Sequence, residues 1–460
     1  MRILHVTLGN PHYHEGGLHR YCLDLINSQN KTDDVFILYP GSCLKGKNVQ
    51  ILKTSDKIYR INHSLPVSVT YGIDDPERYM ASVKDDGYDC FLEAIKPDIV
   101  HVHSFMGIHK EFFALCKKKK IPLIFTTHDY YPLCFKCNLL NEHGELCLGR
   151  FNEKKCAYCN EGCGLDTYKQ LVLQTEIYQK IKNFGPIRRL KKQAKTVGIK
   201  NASIEYSTTE IKEKKYLLLH NYYKEIIESF SIIHCNSLVS KKIYKNEYPE
   251  LNYLVLPITH LGIKTEKHIK ENKAKLRISY FGGQNPRKGF NQIKELISML
   301  PNDNTWELQL FGGVFTNIIN DPRVTIGGSF TEKDEETVWN TTDLLLFPSQ
   351  WPESFGFSVL EALARGIPVI CSDIAGASIL LEDIPECVYN HMNIIELAEK
   401  ISLFIDEGYY LNIQKKIREL PLETNMEKHV EKIKMQIYLE ALNNVKKSIY
   451  QSCSEIPSQT

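Results

Sequence analysis

The chain has 460 residues, is 43% hydrophobic and carries a formal net charge of +2. This allows two or three buried cores and excludes a global field that would recruit nucleic acid. No apolar run reaches the roughly 18 residues of a membrane helix, and MRILHVTLGN lacks the pattern of a signal peptide, so the expected setting is cytoplasmic.

RILHVTL (2–8) is the first predicted strand, and GNPHYHEGGLHRY follows it. Gly16-Gly17 heads an amphipathic helix predicted over 17–29, and by itself a glycine pair after a strand reads as a tight turn. G-x-G-x-x-G is absent, so no nicotinamide cofactor is implied. Further strands are predicted at 35–40, 98–103 and 122–128, the last two ending in His103 and His128. Each histidine reads either as lining a cleft or as satisfied within the fold. A neutral imidazole at 128 would polarise a hydroxyl.

An insertion over about 130–228 follows, and six of the fourteen cysteines fall within 134–163. Cys134-x2-Cys137 and Cys156-x2-Cys159 have the spacing of a structural zinc site, with Cys147 or Cys163 as substitutes for one ligand; reduced free thiols are the other reading. KNFGPIRRLKKQAKTVGIK (182–200) is basic and partly apolar. It suits either anionic lipid at the inner face of a membrane or plain solvation.

Strands are then predicted at 232–236, 277–282, 307–312, 323–328, 343–349 and 368–373. They are rich in Val, Ile, Leu and Phe with little alternation, as in parallel sheets covered on both faces. Strand and helix alternate, which predicts two doubly wound α/β domains, 1–262 and 277–420, joined by the charged stretch 264–276. A last helix over 425–450 is expected to pack back toward the first domain, and the tail from 452 to be disordered. Ligands of such sheets bind outside the carboxyl ends of the strands, so the residues just after each strand are the site candidates.

SYFGGQNPRKGF (279–290) places Arg287 and Lys288 after a strand, where they would neutralise phosphate. In PESFGFSVLEALARGIPVI (352–370), Phe355, Gly356 and Phe357 stand at a predicted helix start, whose backbone N–H groups and dipole attract phosphate. Glu353 lies in the loop before that helix. Glu361 lies inside it, where a carboxylate accepts from a pair of hydroxyls such as those of a ribose.

The segment PSQWPESFGFSVLEALARGIPVICSDIAG (348–376) closely resembles the E-x7-E region of retaining glycosyltransferases of family 4, which have the GT-B fold. The resemblance implies two Rossmann-like domains facing across a cleft, the first on the acceptor side. It also implies hexosyl transfer from an NDP-sugar with retained configuration and no metal in catalysis. Glu353 would contact the donor sugar, Phe355–Phe357 the diphosphate and Glu361 the ribose, with Lys288 and Arg287 on the leaving group. Gly16 and Gly17 would approach donor phosphate or acceptor, and His128 of the His-Asp pair would touch the donor sugar. Gly283 stands where the family carries an arginine. A glycan or lipid-linked glycan acceptor in bacterial surface polysaccharide assembly fits the resemblance and rests on it alone. An NDP-sugar epimerase or phosphorylase of the same fold, or a non-catalytic sugar-nucleotide scaffold, are the alternatives.

Overall fold

The structure is a computed structural model describing residues 1–14, 16–43, 46, 48–181, 208–265, 275–316, 319–331 and 334–454. The basic segment 182–200 and most of the predicted linker, 266–274, lie outside the described residues. Among the described residues no helix is long and apolar enough to cross a membrane.

The chain divides into two compact units. The first holds Met1–Cys235, Ile243–Leu254 and Val430–Thr460, and the second holds Asn236–Lys242 and Val255–His429. This division falls within β8, at Leu254–Val255, whereas the sequence reading drew the boundary after 262.

In the first unit β1 (Arg2–Val6), β2 (Asp34–Pro40), β3 (Gln50–Ser55), β4 (Ile58–Asn62), β5 (Ile99–Val102), β6 (Leu123–Thr127), β7 (Ile232–Cys235) and β8 (Tyr253–Val255) form one sheet. Its order is β3-β4-β2-β1-β5-β6-β7-β8. From β4 to β7 the pairings are parallel, while β3 runs antiparallel to β4. β1, β5, β6 and β7 are buried along almost their whole length, which is why their sequences show apolar runs rather than alternation. An aromatic cluster of Phe105, Phe113, Phe125, Tyr223 and Phe230 fills the core beside them.

The second unit contains β9 (Leu276–Tyr280), β10 (Trp306–Phe311), β11 (Val324–Gly328), β12 (Leu344–Phe347), β13 (Val369–Ser372) and β14 (Val388–Tyr389). Their order is β11-β10-β9-β12-β13-β14, all parallel, which is the dinucleotide-fold order 3-2-1-4-5-6. At the amino end of this sheet Arg277 on β9 grips fully buried Asp343, just before β12, through Nε at 2.9 Å and Nη2 at 2.8 Å. The bidentate pair joins the two strands between which the order reverses.

Strand order reverses between β1 and β5 in one sheet and between β9 and β12 in the other, so each unit has one crevice at its strands' carboxyl ends. The final helical stretch runs through Met426–Lys432, a π-helical segment Ile433–Tyr438 and Leu439–Ser454, so it continues past the expected end at 450. The π segment carries Tyr438 into the first unit's core, where its hydroxyl meets Gln29 and His101.

Candidate active site

In the second unit the chain leaves β9 through Gly282-Gly283. Gly283 has φ 61°, and a Cβ there would lie 2.9 Å from the Gly312 carbonyl oxygen. Two glycine loops meet at this point, and no arginine fits at 283. A short turn, Pro286–Lys288, follows, with Asn285 Oδ1 accepting from the Arg287 N–H at 3.0 Å. Gly289, at φ 85°, packs directly on the Pro348 carbonyl, so that a Cβ would come within 2.0 Å of that oxygen. The contact seats the turn against the loop after β12.

Lys288 is thereby placed with Nζ 2.5 Å from Glu353 Oε1, and the Ser349 hydroxyl donates to the same oxygen at 3.2 Å. Glu353 is buried, while the Lys288 side chain is about a third exposed. Trp351 stands beside both cations, 5.9 Å from Arg287 and 6.0 Å from Lys288. The carbonyls of Glu353, Ser354 and Phe355 are tied back by the Gly376 N–H (2.8 Å), the Ser237 hydroxyl (2.9 Å) and the Ala377 N–H (2.9 Å). With these acceptors satisfied, the loop is held by its carbonyl edge. It then enters the helix Phe357–Ala364 through Gly356 at φ 124°. Phe355 and Phe357 pack edge to face at 5.6 Å, the first buried and the second half-buried.

Glu361 lies one turn into this helix, its Oε1 3.0 Å from Nε2 of His260. His260 is fully buried and accepts the Gly262 N–H on Nδ1 at 3.1 Å, so its proton sits on Nε2. Nε2 faces the Glu361 carboxylate at 3.0 Å without making a well-directed hydrogen bond. His260 was not anticipated from the sequence, and nothing in LPITHLGIK marks it, because its partner is a hundred residues away.

The structure therefore gathers Arg287, Lys288, Glu353, Phe355, Gly356, Phe357 and Glu361 around the second unit's switch point. Gly16, Gly17 and His128 belong to the first unit. Gly16, at φ 114°, caps the helix Gly17–Gln29, and no atom lies within 4 Å of where a Cβ would stand. The conformation, not crowding, demands glycine there. His128 follows β6, is half-buried and contacts His103, Nε2 to Nδ1, at 3.1 Å. Burial, with the neighbouring His234, lowers its pKa to about 3. Burial raises that of Asp129 to about 6, against the hydrogen bond it accepts from the Tyr131 N–H. His103 is 1% exposed and sits between two histidines, so it is a satisfied interior residue.

Of Cys134, Cys137, Cys156 and Cys159, the structure turns Cys137 away from the other three and brings in Cys147, one of the two substitutes. Cys137 adopts φ 60° and donates its thiol to the Val69 carbonyl at 3.0 Å. Cys134, Cys147, Cys156 and Cys159 instead line a cavity of about 990 Å³, and Cys163 contacts the Cys159 carbonyl at 3.6 Å. Burial pushes the Cys159 thiol up to about 11, partly offset by Lys136 at 3.2 Å. Among the described residues, the trios of potential ligand atoms lying within 4.8 Å of one another are His5–His101–His103 and Cys22–His103–His128. Neither involves the cysteine-rich segment.

Residues 263–420 match the family model described as Glycosyl transferases group 1, and residues 15–153 match Glycosyltransferase Family 4. The fold is also that of a sucrose-phosphate synthase from Thermosynechococcus elongatus, at 14% identity, 98% coverage of this chain, 99% of the other and TM-score 0.51. The chain is a GT-B glycosyltransferase. Two other similar structures are the Anabaena protein Alr3699/HepE in complex with UDP and glucose (14% identity, 99% of each chain, TM-score 0.48) and a glycosyltransferase from Rickettsia africae (13%, 100% and 99%, TM-score 0.48). No curated protein matches the glycosyltransferase in sequence. At these identities the structural likeness speaks for the fold and leaves the substrates to be argued from the site.

Proposed function

We propose that this glycosyltransferase moves a hexosyl group from an NDP-sugar to a hydroxyl of a sugar or lipid-linked glycan, with retention at the anomeric carbon. The observation that carries the reading is the Lys288–Glu353 contact of 2.5 Å at the mouth of the Gly356 helix, with Glu361 farther along the same helix. A donor laid along this line meets acid, cation, helix amino end and acid in the order sugar, diphosphate, ribose.

The bond from the anomeric carbon to the diphosphate oxygen breaks, and the oxygen keeps the electron pair. Lys288, Arg287 and the N–H groups near Gly356 stabilise that charge. The acceptor oxygen attacks from the face the phosphate leaves, and its proton passes to the departing phosphate oxygen, which gives retention. Glu353 holds the sugar hydroxyls, Glu361 the ribose, and His128 accepts from a substrate hydroxyl. The Gly16-Gly17 turn admits phosphate or acceptor without a side chain in the way. Support for a surface-polysaccharide role comes from the sequence resemblance alone, and a membrane contact would depend on segment 182–200.

A panel of NDP-sugars screened by thermal unfolding tests the reading. The true donor stabilises the protein by about 2.7 kcal/mol at a hundredfold excess over its Kd, and nucleotide diphosphate alone gives part of that gain. If no NDP-sugar moves the transition, the donor site is wrongly placed. His260→Ala frees the Glu361 carboxylate to turn away. It should raise the donor KM about tenfold, the equivalent of ~1.4 kcal/mol of binding, with kcat little changed, as read by steady-state kinetics.

A further inference from the structure

The first unit contains a polar chain of which the transfer scheme uses only His128. His128 Nε2 meets His103 Nδ1 at 3.1 Å, His103 Nε2 meets His5 Nδ1 at 2.9 Å, and His5 Nε2 meets Gln29 Oε1 at 2.8 Å. Beyond Gln29 the contacts continue from its Nε2 to the Tyr438 hydroxyl (3.0 Å) and from there to His101 Nδ1 (2.8 Å). His101 Nε2 then reaches Thr126 Oγ1 (2.7 Å), which reaches His234 Nδ1 (2.9 Å). His5, His101, His103, Thr126 and His234 are at most 1% exposed.

A neutral imidazole has one donor and one acceptor nitrogen. From Gln29 to His128 each link needs one proton and each imidazole supplies one, so these protons all point the same way, whereas the Tyr438 and Thr126 hydroxyls can accept from both sides and leave the direction beyond Gln29 open. Either His5, His103 and His128 all carry their proton on Nε2, or all three carry it on Nδ1. Nε2–H is the intrinsically preferred tautomer of the side chain, and three such preferences act together. The Gln29 amide, with Oε1 toward His5 and Nε2 toward Tyr438, fits the first arrangement. Burial keeps His5, His103 and His128 neutral, as the argument requires. His5, His101 and His103 are near enough together to suggest a metal, but the nitrogens linking them to one another and to their neighbours are engaged as donors and acceptors within the chain.

We infer that Gln29 is a positioning residue that acts through His5 and His103 to hold the proton of His128 on Nε2, so that His128 Nδ1 is a hydrogen-bond acceptor. The tautomer follows from the chain itself. Its use in transfer, accepting a substrate hydroxyl, rests on the role proposed above for His128.

The test is ¹H–¹⁵N NMR of the full chain with ¹⁵N-histidine, His128 being assigned with His128→Gln. The expected wild-type pattern is a protonated Nε2 and an unprotonated Nδ1 at His128, His103 and His5. Gln29→Leu should give mixed tautomers at His128 and lower kcat with donor KM preserved. Gln29→Glu, still an acceptor toward His5, should restore the wild-type tautomer. A wild-type His128 protonated on Nδ1 would overturn the inference even if neither variant folds, as would a His128 spectrum unchanged in Gln29→Leu. A changed tautomer with unchanged kcat would uphold the relay and overturn the substrate role of His128.

Discussion

Lys288→Ala should lower kcat at least a hundredfold, with the protein still folded by circular dichroism. Lys288 is the cation in contact with Glu353, and its side chain is partly exposed. One preorganised donor at a developing charge is worth roughly 3 kcal/mol, or 10²–10³ in rate. Glu353→Gln should produce a similar loss for a different reason. The amide keeps the shape and a contact with the Ser349 hydroxyl but gives up the charge that orients Lys288 and accepts the sugar hydroxyls. Lys288→Arg should not rescue, because a planar guanidinium cannot occupy the point position of the ammonium between Glu353 and the Phe347 and Trp351 rings. Single-turnover kinetics with the cognate donor separates these losses from slow release. Rates near wild type in both Lys288→Ala and Glu353→Gln would remove the proposed leaving-group site.

The legible part of the fold was its buried part. All ten predicted strands are present, most of them because strands covered on both faces must be written in apolar residues; β11, mostly exposed at the sheet edge, is the exception. The missed strands β3, β4, β8 and β14 are short or lie at or near sheet edges. QILKTS, for instance, is mostly exposed and held by its antiparallel partner, so little of its pairing is recorded in its own composition. The residues proposed for the donor were readable for a local reason: Lys288, Glu353, Gly356 and Glu361 lie in loops and a helix whose chemistry is recorded in short stretches of sequence. What escaped was long-range pairing. His260 gains meaning only from Glu361, and Gln29 only from His5 and Tyr438. The absence of arginine at 283 makes sense once Gly312 is seen against Gly283. The cysteine spacing alone could not say which four thiols share a side, because φ 60° at Cys137 turns that one toward Val69 while Cys147 joins Cys134, Cys156 and Cys159 along one cavity.

Acid should weaken the protein well above the range where carboxylates titrate. His5 and His109, both at most 2% exposed, are held by burial at pKa values of about 4, whereas the unfolded chain protonates its histidines near 6.5. Their folded pKa values are depressed, so the unfolded state binds more protons and stability falls as pH drops from about 6.5 toward 4. At pH 5 each costs about 2 kcal/mol, from 1.36 kcal/mol per unit. Asp129 works the other way. Its carboxyl, raised to about 6, takes a proton in the folded state first and returns about 1.4 kcal/mol at pH 5. A net loss of a few kcal/mol remains, on the order of a quarter of the stability of a typical domain. Asp33, Asp321, Glu336 and Glu386, whose ion pairs lower their pKa values, add their losses only below about pH 4.5. The window between pH 6.5 and 4.5 therefore reports the histidines, partly offset by Asp129. Urea midpoints measured at pH 7, 6 and 5 should fall in that window. His109→Gln, which replaces an imidazole that contacts the Tyr88 hydroxyl, should remove about 2 kcal/mol of the slope. If the midpoints of the wild-type protein stay level from pH 7 to 5, these histidines are not held neutral by burial, and the neutral chain on which the tautomer of His128 depends goes with them.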